Sequence, residues 1–495
     1  MNPAAGSLRE KTIKSLFWQF LGVGGQRIVQ LASPIVLWRV LDKVDLGLFA
    51  IVLSGIGVVE SLTTFLGEQT SIWSDRGAER RYLDTVFTVR LLRSILISSL
   101  LCGLAWPFAW FFAEPDTEAR YWLPGLFLVL AANGLVDAVQ SPARAASMKG
   151  LQFRRVALWD FVASVLGIGL TLVLAVLWTN VWALVVGYIS STAMRTLMSY
   201  LAAPHRPRFR LDREVVRELL HYNAGAAGTP FLLLMIFTAH AFVIGKVVGK
   251  GAVAVFDGAG RLAKLPEDLF LRVLAPVAIP AYAQLKGDIP RLGRAWVNAV
   301  RAFLLVGTPL TVSLAWCGDS LPAFVFGAKY VPIPGLFALL AFHGGLAGLT
   351  SVVGPLFWAV GHPKWDRRAQ FFRCLAIYGV GIPAVLSFGV TGFAAATCMA
   401  VAVALLLSLA YALRYLNLRW SDLTHSARDG LVIGALLLSC MLLVDLLWAP
   451  THILRIVIAG AVGGPLTGLL MLQLLRERQV GTPSDLGQIP VEPTL

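Results

Sequence analysis

The stretch ALWDFVASVLGIGLTLVLAVLWTNVWALVVGYISSTAMRTLMSYLA, residues 157–202, decides the fold class of this chain. Its only charged side chains are Asp160 and Arg195, and Thr179 and Asn180 separate two apolar runs of about twenty residues. A helix of that length crosses the hydrocarbon core of a bilayer. Because no water is available there, each run must satisfy its own backbone hydrogen bonds, which favours α-helices.

The composition of the whole chain agrees with this stretch. Of 495 residues, 57% are hydrophobic and 14% are charged, and the mean hydropathy is +0.72. A soluble protein of this length would carry charge at about a quarter of its positions. The short alternating segments of a membrane β-barrel are absent from the sequence. The composition therefore predicts an all-α integral membrane protein.

Apolar blocks separated by charge, glycine or proline predict about fourteen transmembrane helices. Their predicted starts are near Ser15, Asp45, Thr85, Tyr121, Ala157, Val181, Tyr222, Ala252, Trp296, Pro332, Phe371, Thr391, Leu431 and Ile453. We expect an amino-terminal lobe of six helices at 1–205 and a carboxy-terminal lobe of six at 206–425. Two further helices are expected within 426–478, followed by a disordered cytoplasmic tail at 479–495.

Lysine and arginine concentrate in alternate loops, which predicts that both termini are cytoplasmic. The basic loops contain Arg76, Arg80, Arg81, Arg144, Lys149, Arg154, Arg155, Arg206, Arg208, Arg210, Arg213, Arg217, Lys286, Arg291, Arg294, Lys364, Arg367 and Arg368. Such loops facing an anionic leaflet account for the net charge of +14. We therefore expect no nucleic-acid partner, because no basic domain stands outside the predicted spans.

The two predicted lobes are weakly similar to each other. Pro124–Phe127 recurs as Pro334–Phe337, at an offset of about 210 residues. Lys43–Phe49 resembles Lys250–Phe256 in the same way. An even number of helices separates the copies, so the repeats are predicted to be parallel and to enclose a central cavity.

Polar side chains recur at helical spacing inside the predicted first and second spans. Gln26, Arg27 and Gln30 lie in the first, and Glu60 lies in the second. Charged groups at membrane depth are costly, so they normally face a cavity or a partner. Glu60 is therefore a candidate ion-coupling residue, and the competing interpretation is that it pairs with a neighbouring arginine.

The predicted eighth span has five charged side chains on one helical face. They are Asp257, Arg261, Lys264, Asp268 and Arg272. One interpretation is a neutralised structural seam in which Asp257 pairs with Arg261. The alternative is a cationic wall for an anionic headgroup, since the arginine fork binds phosphate oxygens bidentately. On that alternative Arg27, Arg261 and Lys264, with Gln26 and Gln30, are candidate ligands of a pyrophosphate or sugar, and Asp257 is a second ion-coupling candidate.

No catalytic motif stands in a context that supports it. Gly258, Gly260 and Ala263 fit a dinucleotide-binding string, but they lie within a predicted span rather than after a strand. We therefore expect no enzyme activity, no cofactor and no metal site.

The stretch from Gly24 to Ile51, GGQRIVQLASPIVLWRVLDKVDLGLFAI, resembles the opening of the Wzx or WzxC-like polysaccharide transporter flippases. These belong to the multidrug/oligosaccharidyl-lipid/polysaccharide (MOP) superfamily. The segment Val243–Gln284 is similar to the family's seventh and eighth helices, with Arg261, Leu262, Leu265, Pro266 and Pro280 carrying the match. The resemblance covers about residues 10 to 420.

This resemblance implies a two-lobe transporter, like the multidrug-extrusion (MATE-like) and lipid II flippase (MurJ-like) folds, in a bacterial inner membrane. Such a protein would move undecaprenyl-pyrophosphate-linked oligosaccharide from the cytoplasmic to the periplasmic leaflet by ion-coupled alternating access. Its partners would be the lipid-linked oligosaccharide, the bilayer and polysaccharide polymerase or export machinery. Alternatives are a multidrug or cation antiporter, a lipid II flippase, an intramembrane glycosyltransferase or polymerase, and a non-transporting scaffold.

Overall fold

The computed structural model describes residues 32–61, 79–112, 119–143, 153–202, 205–224, 228–268, 282, 285–448 and 451–470, except 464 and 467. Throughout these residues the regular elements are helical, and none is a β-strand. The all-α fold class is confirmed. The predicted tail at 479–495 lies outside the described residues.

Contacts within the chain define two compact units, each described here by itself. The first comprises Met1–Gly258, Val325–Val331 and Ile382–Phe393, and the second Ala259–Phe324, Pro332–Gly381 and Ala394–Leu495. The predicted lobes 1–205 and 206–425 stay a prediction.

The helices are numbered in chain order. They are α1 32–40, α2 Lys43–Ser61, α3 Arg80–Phe112, α4 Ala119–Ala131, α5 Asn133–Ala138, α6 Phe153–Trp178, α7 Val181–Ala202, α8 Arg213–Ala224, α9 Thr229–Val247 and α10 Lys250–Ala263. Then follow α11 Ile289–Cys317, α12 Ser320–Phe326, α13 Leu336–Ala359, α14 Pro363–Leu416, α15 Trp420–Trp448, α16 His452–Ile458 and a π-helical turn Ala459–Gly463.

Ten helical stretches among the described residues are long and apolar enough to cross a membrane. This establishes a multi-pass membrane protein. Each of the predicted apolar blocks contains helical residues in the part of the chain that the structure describes. The total of about fourteen spans stays a prediction, because some of these helices are shorter than a membrane span.

Helix α14 contains 54 residues, which as one straight rod would measure about 80 Å, far more than a bilayer's hydrocarbon core. Gly389 interrupts it with φ 63° and ψ −146°. That backbone region is open almost only to glycine. The chain therefore kinks at Gly389, between the predicted eleventh and twelfth spans, and α14 consists of two arms, 363–388 and 390–416.

We predict that Gly389→Ala lowers the free energy of unfolding by about 1–3 kcal/mol, measured by thermal unfolding in detergent. A Cβ at Gly389 would meet no atom within 4 Å, so the cost comes from the backbone conformation alone. Gly379→Ala is the matched control, because that Cβ would also meet open space but the residue lies inside a helical arm. The control should be neutral or slightly stabilising. Equal unfolding temperatures for the two variants would contradict the prediction.

Glycines set the closest helix packing in the first unit. A Cβ at Gly167 of α6 would lie 2.6 Å from Ser191 Oγ, and one at Gly187 of α7 would lie 2.5 Å from Thr171 Oγ1. Similarly, a Cβ at Gly47 of α2 would collide with the backbone of Lys250 at the start of α10. Small residues allow such approach where lipid supplies no hydrophobic force between helices.

In the second unit, α15 and α16 pack on α11. Gly430 and Gly434 lie against Leu304 and Thr308, so α15 approaches α11 through a small-residue face. Polar contacts hold the carboxy-terminal ends of α11 and α15 together with α16. Trp316 Nε1 donates to Asp445 Oδ2 at 3.0 Å, and Arg455 pairs with Asp445 Oδ1 at 3.0 Å. The helices predicted as appended are thus held by both packing and charge.

Candidate substrate and coupling sites

The internal repeat places two glutamates in equivalent positions. Helices α2 and α10 begin at Lys43 and Lys250, the residues that the repeat brings into register. The same shift along the chain carries Glu60 onto Glu267. Glu267 was not among the predicted site residues, although this register was sufficient to find it.

Glu60 belongs to a group of charged side chains in the first unit, which we call the amino-terminal charge cluster: Glu60, Arg90, Arg93 and Asp137. Arg93 Nη2 donates to the backbone carbonyl of Glu60 at 3.0 Å, and Arg93 and Asp137 both act electrostatically on the Glu60 carboxylate. Arg90 donates to the backbone carbonyl of Asp137. Gln140 Nε2 donates to Asp137 Oδ1 at 2.6 Å. Arg90 and Arg93 thus both have partners within the first unit.

The cluster contains two acids and two bases, so it is neutral when all four are charged. Neutral groups of paired charges are the form in which ionised side chains are tolerated at membrane depth. Gly134 borders the cluster, and a Cβ there would be in ordinary van der Waals contact, 3.5 Å from Glu60 Oε1 and 3.4 Å from Ser94 Oγ. Both interpretations of Glu60 stay predictions, and in this conformation Arg93 acts electrostatically on its carboxylate.

Glu267 belongs to a corresponding group in the second unit, the carboxy-terminal charge cluster: Lys264, Glu267, Asp268, His343 and Arg373. Lys264 and Arg373 both attract the Glu267 carboxylate, and Asp268 repels it. Arg373 is 5% exposed, and its Nη2 lies 3.4 Å from His343 Nε2. Its Nε is buried without a hydrogen-bond partner among the described residues. The charges of Lys264 and Arg373 thus balance those of Glu267 and Asp268, as in the amino-terminal charge cluster.

Two glycines of α13 allow this cluster to form. A Cβ at Gly344 would collide with the carbonyl oxygen of Ala263, and one at Gly348 would lie 3.4 Å from the Glu267 Cα and 2.7 Å from the Phe303 ring. These glycines are four residues apart on one face of the helix. They let the end of α10 and the residues that follow it, which include Lys264 and Glu267, lie directly against α13.

The two clusters take their arginines from different helices. Arg93 is on α3, and the matching region of α11 carries Arg301, which instead pairs with Asp429 of α15 at 3.1 Å. Glu267 is compensated by Arg373 of α14. Arg373 was not predicted, because it lies beside the predicted start of a span, where arginines ordinarily belong to loops.

The other predicted site residues fall in different places. Asp257 Oδ1 lies 3.9 Å from His240 Nε2, and the His240 ring stacks on Phe256 with centroids 5.1 Å apart. Arg261 is exposed near the end of α10, whereas Lys264 is half-buried in the carboxy-terminal charge cluster. Arg27, Gln26, Gln30 and Arg272 lie outside the described residues. Among the described residues, no group of three or more His, Cys, Asp or Glu is arranged to hold a metal ion.

Comparison with known proteins identifies the family. The family model described as polysaccharide biosynthesis protein matches residues 36–334, which is more than half of the chain. The chain belongs to the polysaccharide biosynthesis protein family. The resemblance to the Wzx-like polysaccharide transporter family is confirmed.

Two curated relatives of this family member are named for polysaccharide assembly. The chain is 21% identical over 386 residues to the succinoglycan biosynthesis transport protein ExoT of Rhizobium meliloti, covering 77% of this chain and 75% of ExoT. It is 23% identical over 388 residues to the lipopolysaccharide biosynthesis protein WzxC of Escherichia coli, covering 77% and 76% of the two chains.

A solved structure establishes the fold of this family member. The lipid II flippase MurJ in its inward closed conformation matches with a TM-score of 0.71 at 14% identity. The match covers 93% of this chain and 99% of the MurJ chain. At this identity the likeness concerns the fold alone.

Proposed function

We propose that this family member is a flippase that moves a polyprenyl-pyrophosphate-linked oligosaccharide from the cytoplasmic to the periplasmic leaflet of a bacterial inner membrane. The observation that carries the proposal is the match to a polysaccharide biosynthesis family in a chain whose described residues include ten helical stretches long and apolar enough to cross a membrane. The relatives' names support the substrate class, since they concern polysaccharide assembly and transport.

The chemistry of an anionic lipid-linked substrate requires cationic groups along its path. An anionic pyrophosphate cannot enter hydrocarbon unpaired, because desolvation costs several kcal/mol per charge or more. Arginine offers a planar fork for phosphate oxygens, and lysine adds a compact charge. Arg27, Arg261 and Lys264 remain the proposed headgroup residues, with Gln26 and Gln30 as proposed sugar contacts.

Alternating access would carry the headgroup past these residues, and an ion gradient would drive it. Glu60 and Asp257 remain the proposed coupling residues, with both termini in the cytoplasm. Polysaccharide polymerase or export machinery is the proposed partner on the receiving side. The name of the relative ExoT describes a transport protein, which supports a transport role for this chain.

The test is transbilayer movement in liposomes that contain a fluorescent polyprenyl-pyrophosphate oligosaccharide. Loss of one charge-assisted contact costs about 1.5–3 kcal/mol, so Arg261→Ala and Lys264→Ala should each weaken apparent substrate affinity by roughly 10- to 100-fold. Arg27→Ala should behave alike. Arg294→Ala, an exposed arginine near the start of α11, is the control and should match the wild type.

The alternatives predict different outcomes. Movement unaffected by all three substitutions would keep the flippase and refute the headgroup site. Movement restricted to lipid II would favour a peptidoglycan-precursor flippase. No lipid movement, together with export of an organic cation, would favour a multidrug antiporter.

A further inference from the structure

The segment between α7 and α8 is a basic connection that is bound along α3. We call residues 205–212, HRPRFRLD, the basic strap; their backbone is not helical. The side chains that hold the strap lie on the first turns of α3 and are buried: Asp84 is 4% exposed, Thr85 0% and Thr88 6%. They recur at a spacing that places them on one side of the helix.

Four polar contacts fix the strap to this side of α3. Asp84 Oδ1 lies 3.0 Å from His205 Nε2 and accepts a hydrogen bond from the backbone N–H of Arg208 at 3.1 Å. The backbone N–H of Arg210 donates to Thr88 Oγ1 at 3.0 Å, and that of Asp212 donates to Thr85 Oγ1 at 3.3 Å. The extended backbone thus finds its partners on α3, much as a strand finds them on a neighbour. After the strap, Val215 and Leu219 of α8 pack against Tyr82 and Val86 of α3.

This attachment leaves the arginine side chains on the surface. Arg206, Arg208 and Arg210 are all exposed. Between and beside them stand two exposed apolar side chains, Phe209 at 78% and Leu211 at 57%. The combination of arginine with exposed aromatic and aliphatic groups is typical of surfaces that lie at a lipid interface.

The position of the strap on α3 identifies what covers it. Thr88 precedes Leu92 by one helical turn, about 6 Å along the axis. Leu92 is 51% exposed, and Leu96 and Leu100, which follow on α3, are 66% and 50% exposed. These leucines form an exposed apolar stripe on a candidate span, the kind of surface that lipid covers. The strap therefore lies at the level where the hydrocarbon ends and the headgroups begin.

We propose that the basic strap is a binding surface for anionic phospholipid headgroups of the adjacent leaflet. Arg206, Arg208 and Arg210 would bind lipid phosphates through their guanidinium forks, and Phe209 would insert among the upper acyl carbons. An acidic soluble protein would also satisfy the charges, but a surface one turn from lipid-facing leucines and carrying an exposed phenylalanine fits a bilayer better. The proposal does not depend on which substrate the transporter moves.

The test compares lipids retained by the purified full-length chain in neutral detergent, measured by native mass spectrometry after addition of phosphatidylglycerol or phosphatidylcholine. The wild type should prefer phosphatidylglycerol, and added salt should weaken that preference. Each basic residue near an anionic surface contributes about 1 kcal/mol, so R206Q/R208Q/R210Q should bind phosphatidylglycerol at least about tenfold more weakly.

Two further variants separate charge from folding and from position. R206K/R208K/R210K preserves the charge and should retain most of the preference. R294Q/R414Q/R419Q removes three exposed arginines from another part of the chain and should lose much less of the preference than the strap glutamine variant does. Unchanged phosphatidylglycerol binding by the strap glutamine variant, or an equal loss in the control, would overturn the proposal.

Discussion

Arg373→Ala is expected to lower the free energy of unfolding by about 3–5 kcal/mol, the cost of leaving a buried charge without its partner. Arg373 is 5% exposed and acts directly on the Glu267 carboxylate. After the substitution, Lys264 alone would balance Glu267 and Asp268. The measurement is thermal unfolding of the purified protein in detergent, followed by the liposome transport assay on whatever fraction folds.

A double substitution distinguishes a charge effect from a packing effect. Arg373→Gln combined with Glu267→Gln removes both charges while keeping polar side chains, so it should recover much of the stability that Arg373→Ala loses. The matched control is Arg291→Ala. Arg291 pairs with Asp288 at 3.2 Å, but the side chains are 62% and 45% exposed, so the loss should stay below about 1 kcal/mol. Similar unfolding temperatures for Arg373→Ala and Arg291→Ala would contradict the prediction.

The helical class could be predicted from the sequence because it follows from local composition. Apolar runs long enough to span a bilayer form α-helices in lipid, because the backbone must satisfy its own hydrogen bonds. Residues 157–202 accordingly lie in α6 and α7, and the break between the two helices falls at Thr179 and Asn180, as predicted. The kink of α14 was also visible, since two apolar blocks were predicted around Gly389. That this residue adopts positive φ depends on the local geometry rather than on hydropathy.

The charge clusters were predictable only in part, because they depend on residues far apart in the chain. Glu60 is predicted from its own helix, whereas Asp137 is brought beside it by tertiary structure. Glu267 lies outside the three-to-four-residue stripe through Asp268, and the internal repeat is the sequence signal that points to it. Arg373 could not be found from a pattern, since the contact of α14 with His343 on α13 is set by packing.

The basic strap shows the same limit. Its arginines were assigned correctly to a basic loop region between helices, and this loop was expected to act only through the general preference for cytoplasmic charge. The binding of the strap to Asp84, Thr85 and Thr88 depends on tertiary structure. A hydropathy pattern records the polarity of those three residues but not the segment that they hold.

Glu60→Gln is expected to uncouple transport from the ion gradient while leaving downhill lipid movement intact. Glutamine keeps the shape of the side chain but removes the charge, and the hydrogen bond from Arg93 to the Glu60 backbone carbonyl does not need the carboxylate. If protons are the coupled ion, a difference of one pH unit is worth about 1.4 kcal/mol per proton, which is a tenfold substrate ratio at one-to-one coupling. The variant should lose this ratio.

The measurement follows accumulation of the fluorescent lipid-linked oligosaccharide in one leaflet, with and without an imposed proton or sodium gradient. Glu60→Asp keeps the charge and should retain part of the response, whereas Asp257→Asn tests the second proposed coupling residue independently. Removal of Glu60 leaves Arg90, Arg93 and Asp137 with one excess positive charge, so a modest fall in stability should accompany the loss of coupling. Full gradient-driven accumulation by Glu60→Gln would exclude Glu60 as a coupling residue. The amino-terminal charge cluster would then have a structural role, holding α2 against α3. Asp257 and Glu267 would become the next candidates for the coupled carboxylate.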